Sequence, residues 1–237
     1  MQLFLFDIDG TLVTAKGAGR TAVGRALAEV YGTTGPLEAF DFRGRTDPHI
    51  AFTLMRAAGV PDDTIRAGLD ACFAAYVREL DAVIGDGSRV QIMPGIPEVI
   101  RVLSERDDAL VGLLTGNIEP AARVKLRSTG LWPLFRVGAF GSDDADRRRL
   151  PAIACARARA LTGREFPFER VTIIGDTPLD VDCARVCGAR AIAVATGFHS
   201  GAELAACRPD LLFDDFSDVE RVLDALLAGS SGVGRPR

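Results

Sequence analysis

The segment Leu3-Phe4-Leu5-Phe6-Asp7-Ile8-Asp9-Gly10-Thr11-Leu12 decides how this chain folds. Four apolar residues stop abruptly at two aspartates one residue apart, and Gly-Thr follows. The run is too short for a helix and is bounded by turn residues, so it reads as a buried strand. In an open parallel sheet the carboxyl ends of the strands face the ligand crevice, which sets Asp7 and Asp9 at the functional edge. In extended chain residues i and i+2 point the same way, so both carboxylates can address one site. Like charges that close repel, and the pair needs a cation between them or a proton on one. An Asx-type turn at Asp9-Gly10 is the plainer alternative, and these residues alone leave it open.

Beyond Leu12 the periodicity becomes helical. Ala22, Val23, Ala26, Leu27 and Val30 follow the spacing of an amphipathic helix over 20–31. Helices over 48–58 and 62–84 come next, the second opened by Pro61 and by Asp62 and Asp63 at the positive end of its dipole. Residues 15–88 hold no convincing strand and end in the Gly85-Asp86-Gly87-Ser88 connection, so they read as an all-α cap subdomain. Alternation then resumes, with strands over 109–114, 137–140, 171–174, 191–195 and 211–213. Between them stand helices from Pro94-Gly95-Ile96-Pro97 to 103 and over 120–128, 149–161, 179–187 and 201–207. A last helix spans 217–227 with Ser217 as its N-cap. The pattern predicts an α/β fold, a doubly wound Rossmann-like parallel sheet over 1–14 and 89–228, with the cap inserted after the first strand. The Gly/Ser-rich segment 229–237 predicts a disordered tail.

Composition narrows the function. The 237 residues are 48% apolar and 25% charged, ordinary for a globular protein with a sizeable core. A net charge of −4 gives no support to a nucleic-acid or anionic-membrane partner. No stretch has the length and apolarity of a membrane span, and no export leader is recognisable, so a cytoplasmic location is expected. The five cysteines (Cys72, Cys155, Cys183, Cys187 and Cys207) are then expected as reduced thiols, Cys183 and Cys187 as buried small side chains. Positive charge is carried almost wholly by arginine, because Lys16 and Lys125 are the only lysines.

Three predicted strand ends carry the polar residues that matter: Asp7/Asp9, Thr115-Gly116-Asn117, and Asp176 with Asp180. A parallel sheet brings all three to one edge whatever the strand order. Four carboxylates there repel one another unless they bind a hard cation. Mg²⁺ fits best, since it takes oxygen ligands and pairs with substrate phosphate. A turn followed by a helix N-cap is the alternative for Asp176 and Asp180.

Phe-Asp-Ile-Asp-Gly-Thr, then Leu-Leu-Thr-Gly-Asn, then Ile-Ile-Gly-Asp-Thr-Pro-Leu-Asp resemble, in order, the signatures of haloacid dehalogenase (HAD) superfamily hydrolases. The likeness is strongest to the phosphoglycolate-phosphatase-like branch with a small α-helical cap. It implies Asp7 as the nucleophile that forms an aspartyl phosphate, and Asp9 as general acid and then base. It implies Mg²⁺ held by the side chains of Asp7 and Asp176 and by the Asp9 carbonyl, with Asp180 acting through water on the metal or orienting a ligand. Thr115 and the amides of Gly116 and Asn117 would hold phosphoryl oxygens. The family's usual lysine before the helix preceding the last signature is missing, and Arg147 is the best match. Arg148 is the fallback and Lys125 a weaker one. Phe42-Arg43-Gly44-Arg45-Thr46-Asp47-Pro48 resembles a loop of related phosphatases that reaches the site. Arg45 there is expected to meet a substrate carboxylate or phosphate, or else merely to flank a helix capped by Thr46 or Asp47. His49 and His199 show no evident partner and read as structural.

The resulting expectation is a Mg²⁺-dependent phosphatase acting on a small phosphorylated metabolite, such as phosphoglycolate. A β-phosphoglucomutase-like phosphomutase is the alternative on the same machinery, and a non-catalytic regulatory binding protein the alternative of another class. A metal-free dehalogenase is disfavoured, since that chemistry needs no carboxylate cage. Monomer and homodimer are both left open.

Overall fold

A computed structural model describes residues 1–228, so the expected disordered tail lies outside the described residues. The chain opens with β1 (Gln2–Phe6) and β2 (Val13–Thr14), then passes through α1 (Ala18–Tyr31), α2 (Asp47–Ala57) and α3 (Asp62–Ile84). It returns through β3 (Gln91–Ile92), α4 (Ile96–Ser104), β4 (Ala109–Thr115), α5 (Glu119–Leu126) and β5 (Val137–Phe140). The last third runs α6 (Leu150–Thr162), β6 (Val171–Gly175), α7 (Pro178–Cys187), β7 (Arg190–Val194), α8 (Gly201–Ala206), β8 (Leu211–Phe213) and α9 (Val219–Leu227).

Six strands form one sheet in the order β5-β4-β1-β6-β7-β8, every pairing parallel. The expected doubly wound sheet is therefore present. From β1 the chain winds outward through β4 and β5, then crosses back to β6 and winds the other way. The direction reverses between β1 and β6, and an open α/β sheet leaves its crevice at that reversal.

Both faces of the sheet are covered, which is why β1 is continuously apolar rather than alternating. Its side chains still divide by parity. Phe4 and Phe6 join Ile96, Ile100, Val222 and Leu226 of α4 and α9, while Leu3 and Leu5 join Leu150, Ala154, Val181 and Ala184 of α6 and α7. A third apolar cluster belongs to α1, α2 and α3, with Ala22, Leu27, Leu54, Ile65 and Leu80 fully or almost fully buried, and it includes Ile118 and Ala121 at α5. The helical layer thus has a core of its own and sits on the segment that follows β4.

Two local features differ from the sequence reading. β2 and β3 pair antiparallel as a short ribbon at the two chain crossings into and out of the helical layer, a pairing too short to leave a periodic signal. The last helix starts at Val219 and is capped by Asp218, whose side chain accepts from the Arg221 N–H. Ser217 instead donates its N–H to Asp215, closing a turn before the helix. Other boundaries move by a residue or two, as fraying ends do.

The loop before α2 is docked tightly on the main domain. Thr46 caps α2 by accepting from the His49 N–H, and its own hydroxyl donates to the Ala145 carbonyl at 2.7 Å. The Asp47 N–H donates to the Gly116 carbonyl, and the Asp47 carboxylate accepts the Ile118 N–H at 2.8 Å. Gly116 permits this approach: a Cβ there would stand 2.1 Å from the Arg45 carbonyl oxygen.

Burial pushes the Asp47 carboxyl up to about 7, against the pull of Lys125. The folded chain then holds this proton more tightly than the unfolded one, so its contribution to stability falls between pH 4 and 7 and is flat above. Asp47→Asn keeps an acceptor for Ile118 and removes that slope. In EDTA, urea unfolding should show the variant gaining on the parent steadily from pH 4 to 7, whereas a pH-independent difference would contradict the assignment. Leu27→Ala, in the middle of the helical cluster, should cost about 3 kcal/mol in the same assay.

Candidate active site

β1 delivers Asp7 to the reversal point, its N–H donating to the Ile174 carbonyl of β6. β6 ends next door, and Asp176 follows it. Asp7, Asp176 and Asp180 are all buried, and each places a carboxylate oxygen within 4.8 Å of the others. The expected group of four carboxylates is therefore a trio, with the Asp9 carboxylate standing outside it. At Gly10 the chain turns with φ +84°, and the Asp9 side chain remains 46% exposed.

The trio is heavily constrained. Arg147 reaches it from the turn before α6, at 3.1 Å from Asp7 Oδ1 and 2.5 Å from Asp180 Oδ1. It also donates to the carbonyls of Leu114 and Gly44, each at 3.3 Å. Asp180 Oδ2 accepts the Thr177 N–H and hydroxyl, forming the capping box of α7. The N-cap of α7 is therefore Thr177, not Asp180: Asp180 stands three residues on and closes the capping box, while its other oxygen belongs to the site. Asp176 accepts the Thr11 hydroxyl at 3.2 Å. The loop after β7 passes directly over Asp176, where a Cβ at Gly197 would lie 1.7 Å from Oδ2. Thr196 fastens that loop by donating to the Gly10 carbonyl.

One guanidinium, paired with Asp7 and Asp180, is set against three carboxylates, so the pocket carries surplus negative charge. Burial pushes the Asp7 carboxyl up to about 6, opposed by Arg147 and reinforced by Asp180 and Asp9. Burial, then Asp7 and Asp180, push Asp176 well above the carboxylate range. Ionising all three at neutral pH therefore calls for a further cation. The donors are oxygens alone, which suits Mg²⁺ rather than a softer metal.

β4 supplies the second half of the site. Thr115 is fully buried, and its hydroxyl oxygen accepts from the Asn117 side-chain amide at 2.8 Å and backbone N–H at 3.3 Å. The Asn117 amide also donates to Asp9 Oδ2 at 2.7 Å. Lys125 donates to the same Asp9 oxygen and to Asn117 Oδ1, both at 2.6 Å. Of the three cations weighed from sequence, Arg147 meets the trio and Lys125 meets Asp9. Arg148 lies at the surface on Asp182, and Arg149 faces Asp144 there.

Arg45 is exposed, and its guanidinium donates to the Asp41 carbonyl and bonds His49 Nε2 at 3.1 Å. His49 therefore has a partner, contrary to expectation: the start of α2 folds it back beside Arg45, four residues earlier, and burial with that positive charge lowers its pKa. His199 Nδ1 is buried with no hydrogen-bond partner among the described residues. The five cysteines are free thiols, with Cys183 buried and Cys187 half-buried.

Gly197 has no local signal in the sequence, because its partner Asp176 lies on a different strand end. Thr11 and Asp47 stand in recognisable motifs, but their partners Asp176 and Ile118 lie far along the chain. Lys125 carries a local signal for burial. Ile118, Ala121, Ala122 and Lys125 share the buried face of α5, and a lysine on an apolar stripe must find a partner.

Comparison with known proteins agrees with this geometry. A family model described as haloacid dehalogenase-like hydrolase matches residues 4–185, which include all three motif-bearing strand ends. A phosphoglycolate phosphatase of Synechococcus elongatus is 28% identical over 229 residues, covering 96% of this chain and 99% of that protein. One of Cereibacter sphaeroides is 30% identical over 226 residues, covering 94% and 98%. A solved hydrolase structure from Pseudomonas syringae shares the fold with a TM-score of 0.72 at 19% identity, covering 95% of this chain and 99% of that one. Motifs, sheet order and relatives agree: the chain belongs to the haloacid dehalogenase-like hydrolase family, on its phosphoglycolate-phosphatase-like branch.

Proposed function

We propose that this HAD-type phosphatase is Mg²⁺-dependent and hydrolyses a small phosphate monoester, phosphoglycolate or a close analogue, through an aspartyl phosphate on Asp7. The observation that carries the reading is the buried trio with Arg147 at the β1/β6 reversal, beside an Asp9 that keeps one oxygen free. Relatives described as phosphoglycolate phosphatases support the choice of substrate.

Asp7 attacks phosphorus, forming an acyl phosphate as the ester P–O bond breaks. Asp9 gives its proton to the departing alkoxide oxygen, and the alcohol leaves. Asp9, now a carboxylate, takes a proton from water as the water oxygen attacks the same phosphorus. The bond to Asp7 breaks, and phosphate departs. Arg147 offsets the charge of Asp7 and Asp180, while the Thr115 hydroxyl and the Gly116 and Asn117 backbone form the wall for phosphoryl oxygens. Asp7, Asp176 and the Asp9 carbonyl would hold Mg²⁺, with Asp180 steering; when bound, the ion supplies positive charge for the phosphoryl group. The helical layer over 15–88 acts as the cap that selects the substrate, with Arg45 and its neighbours facing the organic group.

Release of inorganic phosphate from phosphoglycolate and p-nitrophenyl phosphate tests this directly. EDTA should abolish it and Mg²⁺ restore it; turnover indifferent to EDTA would sink the metal assignment. Asp7→Asn should lower kcat at least about a thousandfold without loss of fold, as removal of a nucleophile does. Arg147→Ala should cost about a hundredfold, while Arg149→Ala, at the surface, should leave the rate unchanged. Equal effects of the two arginine substitutions would dismiss Arg147.

A further inference from the structure

We propose that Lys125, acting with Asn117, is a positioning residue that decides which oxygen of Asp9 exchanges the proton. The inference rests on the reading of Asp9 as general acid and base, and adds to it a residue outside the three motifs.

The argument is one of hydrogen-bond capacity. Lys125 is 4% exposed and has no acceptor of its own, so whatever it touches must accept. It touches Asn117 Oδ1 at 2.6 Å, which fixes the orientation of that amide: the oxygen faces the ammonium, and the NH₂ faces away. The two amide hydrogens then go to Asp9 Oδ2 and Thr115 Oγ1, at 2.7 and 2.8 Å. With the second Lys125 bond, Asp9 Oδ2 accepts from two donors and has no room for a proton of its own. Oδ1 has no hydrogen-bond partner among the described residues, and the side chain is 46% exposed. The proton that Asp9 delivers and recovers therefore sits on Oδ1. The same chain of bonds reaches Thr115. Its oxygen already accepts twice from Asn117, so its own hydrogen is left to donate forward.

Lys125 thus differs in duty from Arg147. The guanidinium offsets part of the trio's charge, whereas the ammonium locks an amide that aims two other groups. A flexible stem ending in a compact donor suits a buried position between two acceptors, and the stem itself packs along the apolar face of α5.

An experiment on leaving groups separates this role from a merely structural one. Departure of an alkoxide needs the proton from Asp9, whereas p-nitrophenolate leaves without it. The ratio kcat/KM reports the steps from free enzyme and substrate through the first irreversible one, and so leaves out hydrolysis of the acyl phosphate. Lys125→Met should lower kcat/KM for phosphoglycolate and β-glycerophosphate about tenfold or more, but for p-nitrophenyl phosphate less than about threefold. Lys125→Gln, which retains a donor, should recover part of the alkyl-ester rate, and it carries the comparison if the Met variant folds poorly by thermal melting. Equal losses on both ester classes would overturn the assignment. Asp9→Asn serves as the control. If it shows the selective loss and the Lys125 variants do not, only the positioning role fails; if Asp9→Asn itself is unselective, the acid role of Asp9 fails with it.

Discussion

Three carboxylates held within 4.8 Å of one another, away from water, form an arrangement that the rest of the structure must tolerate. Desolvation and mutual repulsion both favour their protonation, and one arginine offsets only part of the charge. The surroundings supply what compensation they can. Thr177 and the opening turn of α7 hold Asp180, Thr11 holds Asp176, and Ile174 fixes the backbone at Asp7. A pocket that retains this much negative charge is suited to a divalent cation and a phosphoryl group, and poorly suited to anything apolar.

Close backbone approach is the second theme. Gly116 lets the loop before α2 lie against the end of β4, and Gly197 lets the loop after β7 cross Asp176. Both contacts are too short for any side chain. They press cap-side and sheet-side loops around the strand ends. Water at the carboxylates is limited as a result, and the hydrogen bonds inside the site gain strength in the lower local dielectric.

Legibility from sequence varied with the range of the interaction. The apolar run before Asp7 and the alternating helices announced the doubly wound sheet, since burial on both faces imposes continuous apolarity locally. The helix 62–84 was readable to the residue, because Pro61 and two acidic residues mark its start. Arg147 could be chosen over its neighbours only by analogy, since Arg147, Arg148 and Arg149 look alike in sequence. Burial distinguishes them, and burial depends on where α6 and α7 lie. The partner of His49, and the turn that displaces Ser217 in favour of Asp218 as cap, come instead from competing local hydrogen bonds that residue types alone do not rank.

The chain by itself determined the class of fold, the order of the elements and the chemistry gathered at the strand ends, because periodicity and parallel topology are local properties repeated along it. Only the tertiary structure decided that the four aspartates divide into a trio and a separate Asp9, and that two cations serve them differently. Those outcomes rest on distances between residues more than a hundred positions apart, such as Asp9 and Lys125. Such distances are set by how sheet, α5 and α6 pack, and no short stretch of sequence encodes them.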